Sequence, residues 1–379
     1  MYQGKAKLFW SNTPTVRLGQ REIGPGKDIY IIAEAGVNHN GNIDMAFQLV
    51  DIAKRAGADA VKFQVFTADN LVTGNAPTAN YQAEKGHGNQ KQMLRELELT
   101  REEFFDVFEY CRDAEIEFLA TPFSIADLEF LLELGVSSIK IASPDIINVP
   151  LLEHVISSKL PAIVSSGASV NDEISNLVDM FADKAALSRL ILLHCISSYP
   201  TKLADTNLSV IGNLARQYPV PVGFSDHTAE WITGALAVAA GAVVLEKHFT
   251  INRSLPGPDH SFSLEESQLR QYIIAARESQ QAMGRPQRNL LDCEKEVRNI
   301  ARGSVVSVVD IPAGTIIMPS MIAIKRPAGG IEPARIKQVI GTIAIVDIPA
   351  DSQIDWQMLK PFAEERPVSV SEFQTQQES

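Results

Sequence analysis

The sequence predicts an α/β protein: a (β/α)8 barrel of the TIM type followed by a small β-rich domain. Three observations carry this expectation. From about residue 30 to 283, eight short apolar, β-branched runs alternate with helix-sized stretches, the pattern of a parallel sheet covered by helices. That region is about 250 residues long, the usual size of such a barrel. No GxGxxG fingerprint follows the first run, which argues against a doubly wound sheet, the runner-up.

The elements follow in order. Arg17–Asp28 (RLGQREIGPGKD) reads as a hairpin ahead of the first strand, placed to plug the barrel bottom. The expected strands are Tyr30–Ala35, Ala60–Val65, Glu117–Thr121, Ser138–Ser143, Ala162–Ser166, Leu190–Cys195, Val222–Ser225 and Val243–His248. Helical periodicity marks Asp44–Ala56 and Arg101–Asp113. Gly57, Gly135 and Gly241 each follow an amphipathic run, where glycine takes the left-handed conformation that ends a helix. The barrel domain is therefore expected over 1–283. A polar segment over 284–302 reads as linker. The small domain covers 303–362 and contains a repeat: SVVSVVDIPAGTIIMPSM (Ser304–Met321) and GTIAIVDIPADSQIDWQM (Gly341–Met358) share a strand, Asp-Ile-Pro-Ala, a turn and a closing Met. The tail, 363–379, is polar and reads as disordered.

Composition narrows the function. The net charge of −12 disfavours a nucleic-acid partner, because phosphate backbones need a basic face. The three cysteines, Cys111, Cys195 and Cys293, form no close pair, which excludes a disulfide scaffold or CxxC metal knuckle. The N-terminal stretch has no apolar core of signal-peptide length. The longest apolar run, Ala235–Leu245, is too short for a bilayer. A cytoplasmic enzyme without membrane partners is expected.

In this fold the chemistry sits at the C-terminal ends of the strands. The strands deliver ionisable and polar residues there: Glu34 with Asn38 and His39; Lys62 and Gln64; Lys140, Ser143 and Asp145; Ser165 and Ser166; His194, then Ser197 and Tyr199; Ser225, Asp226 and His227; Glu246, Lys247 and His248. A purely structural core has no use for such a ring, since buried charge is costly unless paired. His227 and His248, on adjacent strands, can share one divalent ion, or each can be a hydrogen-bonded core histidine. Lys62 and Lys140 suit a phosphate or carboxylate, or ion pairs with Glu34 and Asp145. Lys247 alternates with Glu246 and His248, so it faces away and reads as structural. Cys195 reads as a packed thiol with no acid–base partner. Beyond the last strand, LPGPDH (Leu255–His260) presents Asp259 and His260. In the small domain the glycine-rich loop KRPAGGIEP (Lys325–Pro333) carries Arg326.

IIAEAGVNHNG (Ile31–Gly41), ADAVKFQ (Ala58–Gln64), IKIAS (Ile139–Ser143), LHCISSYPT (Leu193–Thr201), GFSDHT (Gly223–Thr228), LEKHFT (Leu245–Thr250) and PGPDHSFSL (Pro256–Leu264) together resemble the sialic acid synthase family, including its legionaminate and spore-coat branches. The small domain with KRPAGGI is similar to the antifreeze-like (SAF) domain of those enzymes. The resemblance runs from about residue 20 to 361. It implies condensation of phosphoenolpyruvate with N-acetylmannosamine or a bacterial 2,4-diacetamido relative, giving a nine-carbon 2-keto-3-deoxy acid and phosphate. It also implies a divalent metal, Mn2+ with Mg2+ or Co2+ as alternatives, on His227 and His248. Lys62, Gln64, Lys140, Ser143, Ser165 and Ser225 would bind phosphoenolpyruvate. Glu34, Tyr199, Glu246 and Asp259 would line the sugar site, with Glu34 or Glu246 activating water. Asp145, counted with Glu34 and Glu246 as a catalytic carboxylate, stands where the family often has glutamate, after Pro144 in place of glycine. Ala168 stands for a usual methionine. Arg326 would reach the N-acyl group across a domain-swapped homodimer. A 3-deoxy-aldulosonate phosphate synthase, a class I aldolase using Lys140 as Schiff base, and an ice- or carbohydrate-binding module are the competing readings.

Overall fold

The structure, a computed structural model, describes residues 13–73, 90–284 and 287–361. A hairpin of β1 (Val16–Leu18) and β2 (Arg21–Ile23) precedes eight strands: β3 (Tyr30–Gly36), β4 (Ala60–Val65), β5 (Glu117–Pro122), β6 (Ile139–Ile141), β7 (Ala162–Ser165), β8 (Leu190–Cys195), β9 (Val222–Asp226) and β10 (Val244–His248). All their pairings are parallel. The hydrogen-bonded order is β5-β4-β3-β10-β9-β8-β7-β6, and β5 lies beside β6 at the seam. This is the expected barrel, nearly closed.

The helices form where the sequence places them. Ile43–Ala56 is capped by Asn42, whose side chain accepts from the Met45 amide at 3.0 Å, and ends at Gly57 with φ 91°. Arg101–Asp113 starts with a reciprocal capping box between Thr100 and Glu103. Gly135 ends its helix at φ 85°. Gly241 takes φ 108°, one residue beyond its helix's cap.

Two apolar layers result. Outward strand residues such as Ile31, Val61, Phe63, Leu192 and Leu245 pack against the helices. Inside the barrel, Tyr30, Ile32, Ala60, Leu119, Ile163, Ile191, Leu193 and Val244 form a second cluster. Val16, Leu18 and Ile23 of the hairpin join it, so the hairpin does plug the bottom.

Two expectations need correction. The run Ser138–Ser143 forms a strand only over Ile139–Ile141 and then turns into a 3-10 segment, Ser143–Ile147. Pro144 has no N–H for a ladder. The polar linker is partly helical: a 3-10 turn at Asp292–Glu294 runs into the helix Lys295–Ala301, where Glu294 accepts from the Leu291 amide at 3.0 Å. That helix buries no residue, so it lacked the apolar stripe that marks a helix in sequence. The chain divides into two compact units within this segment, between residues 286 and 287. The expected disordered tail lies outside the described residues.

The second unit contains two antiparallel pairs, β11 (Ser304–Ser307) with β12 (Ile322–Lys325) and β13 (Ile343–Ala344) with β14 (Leu359–Lys360). The repeat is structurally reciprocal. Ile311 and Ile348 exchange backbone hydrogen bonds of 2.8 and 2.9 Å. The Asp310 carboxylate accepts from the Ala350 amide and the Asp347 carboxylate from the Ala313 amide, each at 2.7 Å. Each Asp-Ile-Pro-Ala thus caps the other. Both closing methionines, Met321 and Met358, end a 3-10 turn.

Candidate active site

Strand alternation aims Glu34, Lys62, Ser225, Glu246 and His248 at the C-terminal mouth. Lys62 sits at the centre, buried, with Nζ 2.7 Å from Glu34 Oε2 and 3.7 Å from Glu246 Oε2. It also donates to Thr121 Oγ1 at 3.2 Å. Ser225 Oγ donates to Glu246 Oε1 at 3.0 Å, and Gln64 Nε2 to Glu34 Oε1 at 3.4 Å. Gly36, at φ 56°, leaves the space between them: a Cβ there would lie 3.3 Å from Glu34 Oε1, 3.4 Å from Gln64 Nε2 and 3.6 Å from Asp259 Oδ2. Asp259 is therefore delivered to the same cluster by its Pro/Gly loop.

The two carboxylates are not equivalent. Burial pushes Glu34 up to about 7, against the pull of Lys62 and helped by the Glu246 charge. Burial works against Glu246 too, but Lys140, Lys62 and the Ser225 hydroxyl hold it below the ordinary value. Burial opposes the charge on Lys62, yet the two glutamates keep its pKa raised. Lys140 is lowered by burial. Its Nζ donates to Ile141 O at 2.7 Å, and among the described residues no carboxylate lies within ion-pairing distance of it. The expected Lys140–Asp145 pair does not form: Asp145, half-buried in the turn after β6, accepts from Asn148 at 2.9 Å. A buried ammonium whose nearest counter-charge, Glu246, lies beyond ion-pairing distance suits an anionic ligand.

A second group lies beside the first. The rings of His227 and His248 are 5.5 Å apart, and Tyr199 packs on His227 at 4.3 Å. Nδ1 of His227 donates to Ile196 O at 2.8 Å, so in the neutral ring Nε2 carries the lone pair; against burial, Cys195 and that carbonyl raise its pKa. Burial keeps His248 well below the ordinary value. It is a neutral imidazole whose buried Nδ1 has no hydrogen-bond partner among the described residues. These two imidazoles fit an open divalent-metal site with further positions left for water or substrate. Among the described residues no group of three or more His, Cys, Asp or Glu could hold an ion.

A third group is a small polar cradle. The Gly167 amide donates to Ser143 Oγ at 2.9 Å, and Ser143 Oγ reaches Cys195 Sγ at 3.6 Å. A Cβ on Gly167 would lie 2.8 Å from Ser143 Oγ and 3.0 Å from Cys195 Sγ, and would collide with Ser197 Oγ. Ser165 Oγ is buried with no hydrogen-bond partner among the described residues.

Most expected site residues are thus brought to one mouth; Asp145 points to its own turn, and Arg326 is exposed in the other unit. Lys247 faces away as its alternation predicts. His194 is structural, bonded to Thr206 O at 2.8 Å. Cys195 corrects the sequence reading: it has a partner, His227 Nδ1 at 3.7 Å, because residues 195 and 227 end neighbouring strands. Also missed was the pocket wall of Met93, Leu94 and Leu97, which faces Gln64, Tyr199, His248 and Asp259. Its signal was present as an i, i+1, i+4 apolar stripe.

Glu34 predicts a pH dependence. Its pKa near 7 lies above the ordinary glutamate value, so below pH 7 it is neutral and Lys62 is free of it. Above pH 7 it ionises and competes for Lys62. Sulfate, which does not titrate in this range, is expected to bind the metal-free protein more weakly as pH rises from 6 to 8. In Glu34→Gln that dependence should flatten. Titration calorimetry across this window measures it; an unchanged slope in Glu34→Gln would assign the dependence to another group.

Ionisable side chains gathered at the C-terminal ends of a parallel barrel's strands are the arrangement in which this fold builds an active site. The comparisons give the family. The NeuB family model matches residues 49–288 and the SAF domain model residues 302–360; the chain belongs to the NeuB family. It is 37% identical to the N,N'-diacetyllegionaminic acid synthase of Legionella pneumophila over 347 residues, covering 90% of this chain and 98% of that one. It is 32% identical to the human N-acetylneuraminate-9-phosphate synthase over 340 residues, covering 88% and 93%. Among solved structures, the N-acetylneuraminic acid synthetase of Leptospira borgpetersenii in complex with citrate matches with a TM-score of 0.69 at 35% identity, covering 75% of this chain and 95% of that one.

Proposed function

We propose that the protein condenses phosphoenolpyruvate with an N-acylated amino sugar, N-acetylmannosamine or a 2,4-diacetamido relative, giving a nine-carbon 2-keto-3-deoxy acid and phosphate. The observation that carries this reading is the buried Lys62 between Glu34 and Glu246, with Lys140, outside ion-pairing distance of any carboxylate among the described residues, in the same mouth. An anion entering there exchanges the Glu34–Lys62 pair for a phosphate–lysine pair. Lys62 and Lys140 hold the phosphoryl group, while Ser143, Ser165, Ser225 and Gln64 fix phosphoenolpyruvate's remaining polar atoms. Tyr199, Asp259 and Glu246 orient the sugar. Phosphoenolpyruvate's C3 then bonds to the aldehyde carbon, whose oxygen gains a proton. Water adds to C2 and loses a proton to Glu34, whose pKa near 7 suits a base at neutral pH. Phosphate leaves by C–O cleavage. His227 and His248 would hold a divalent ion, Mn2+ with Mg2+ or Co2+ as alternatives; when bound it supplies Lewis acidity to the aldehyde oxygen. The cytoplasm is the compartment that supplies phosphoenolpyruvate.

Phosphate release from phosphoenolpyruvate with Mn2+ and a panel of 2-acetamido sugars tests the reading. Release is expected only when an acceptor sugar is present. The lowered pKa of Lys140 also suits a Schiff-base nucleophile. Borohydride trapping of pyruvate on Lys140, without phosphate release, would favour that aldolase reading instead.

We further propose a homodimer in which the partner subunit's SAF domain completes each mouth, a reading supported by the loop chemistry of Arg326. Arg326 is a planar donor suited to an N-acyl carbonyl, and a two-fold assembly gives both sites the same complement. Arg326→Ala and His227→Ala, each inactive alone, should regain activity after subunit exchange, since each mixed dimer has one intact site. No rescue despite demonstrated exchange would overturn trans completion.

A further inference from the structure

On β9 and β10 the residues that alternate away from the mouth are Asp226 and Lys247, register neighbours across the two strands. Each immediately precedes one of the two mouth imidazoles, His227 and His248. Their positions face the helix layer, where the other strands carry apolar side chains. Here instead lies a buried ion pair, Lys247 Nζ to Asp226 Oδ2 at 3.1 Å, both side chains almost wholly inaccessible. Replacing such a pair by apolar residues of similar volume is often neutral or stabilising, so stability alone does not explain it.

Its hydrogen bonds do. Asp226 Oδ1 accepts from the Thr228 amide at 2.9 Å, which closes a tight turn around His227. Lys247 Nζ donates to Thr228 O at 2.6 Å and meets Thr228 Oγ1 at 3.1 Å. Thr233 Oγ1 donates to Asp226 Oδ2 and lies 3.1 Å from Thr228 Oγ1. The ammonium also lies 5.4 Å from the centroid of the Tyr272 ring. The backbone on both sides of His227 is therefore tied, through Lys247, to the residue next to His248. We infer that Asp226, Lys247 and Thr228 are a clamp that sets the separation and orientation of the two imidazoles for a divalent cation, so that Asp226 and Lys247 are positioning residues of that site. This rests on the reading of His227 and His248 as metal ligands.

The test uses metal-stripped full-length protein titrated with Mn2+, free ion being read by electron paramagnetic resonance, beside thermal unfolding in chelator. Outer-shell changes around metal-bound histidines typically cost about 10–100-fold in affinity. Lys247→Met combined with Asp226→Asn removes both charges together and leaves no buried charge unpaired. It is expected to fold, to unfold in chelator near the wild-type temperature, and to bind Mn2+ roughly 10–100-fold more weakly. Asp226→Asn alone keeps the shape and the acceptor for the Thr228 amide; it should weaken Mn2+ in the same direction and carries the test if the double variant does not fold. A lowered unfolding temperature with wild-type Mn2+ affinity would make the pair purely structural and overturn the inference. His248→Ala is the control: it should abolish Mn2+ binding, and if it binds like wild type the metal site itself falls, and the clamp with it.

Discussion

His227→Ala and His248→Ala are each expected to reduce condensation to background while the chain still folds. The two imidazoles stand 5.5 Å apart at adjacent strand ends. His227 is oriented by donating Nδ1–H to Ile196 O at 2.8 Å, and His248 is kept neutral by burial. Neutral, oriented imidazoles are what a divalent cation requires. Outer-shell changes alone cost about 10–100-fold, so losing a ligand should cost more. Neither histidine belongs to the apolar clusters that hold the barrel together. Unfolding in chelator should therefore change far less than activity does. Full activity in thoroughly metal-stripped wild type would refute the metal reading outright.

Lys62→Met and Lys140→Met are expected to part company. In the proposed reading each removes a charged hydrogen bond to phosphate of about 1.5–3 kcal/mol, so kcat/KM for phosphoenolpyruvate should fall roughly 10- to 150-fold in both. Their effects on stability should differ. Lys62 is the cation between Glu34 and Glu246, and breaking a buried pair costs about 3–5 kcal/mol. Without it the two carboxylates repel, and one holds its proton to higher pH. Lys62→Met should therefore be destabilised, more at pH 8 than at pH 6. Lys140 has no carboxylate within ion-pairing distance among the described residues and acts on Glu246 only at longer range, so Lys140→Met should cost less stability than Lys62→Met while losing phosphoenolpyruvate binding. Thermal unfolding at the two pH values, beside initial-rate kinetics, separates these outcomes. Equal stability of both variants would show that Lys62 is not the counter-ion of the glutamates.

Much of this architecture was legible in the residues because two periodicities carry it. The period of two on β10 put Glu246 and His248 on one side and Lys247 on the other, and the structure gives Lys247 to Asp226. The glycine stops marked helix ends, and the shared Asp-Ile-Pro-Ala marked a repeat whose copies cap one another. What stayed hidden depends on neighbours across space. Cys195 meets His227 only because β8 pairs with β9. Asp145 prefers Asn148, three residues on in the same turn, to Lys140. The space kept by Gly36 and Gly167 is defined by side chains from other strands. The linker helix at Lys295–Ala301 was missed because a helix that buries nothing shows no apolar stripe.

The most direct measurement follows phosphoenolpyruvate labelled with 18O in the C2–O–P bridge and 13C at C3, incubated with Mn2+, enzyme and an N-acyl amino sugar. The account predicts that the 18O leaves in inorganic phosphate and that the 13C becomes bonded to the former aldehyde carbon of the sugar. Retention of 18O on the carbon product, or labelled pyruvate with no new carbon–carbon bond, would contradict it.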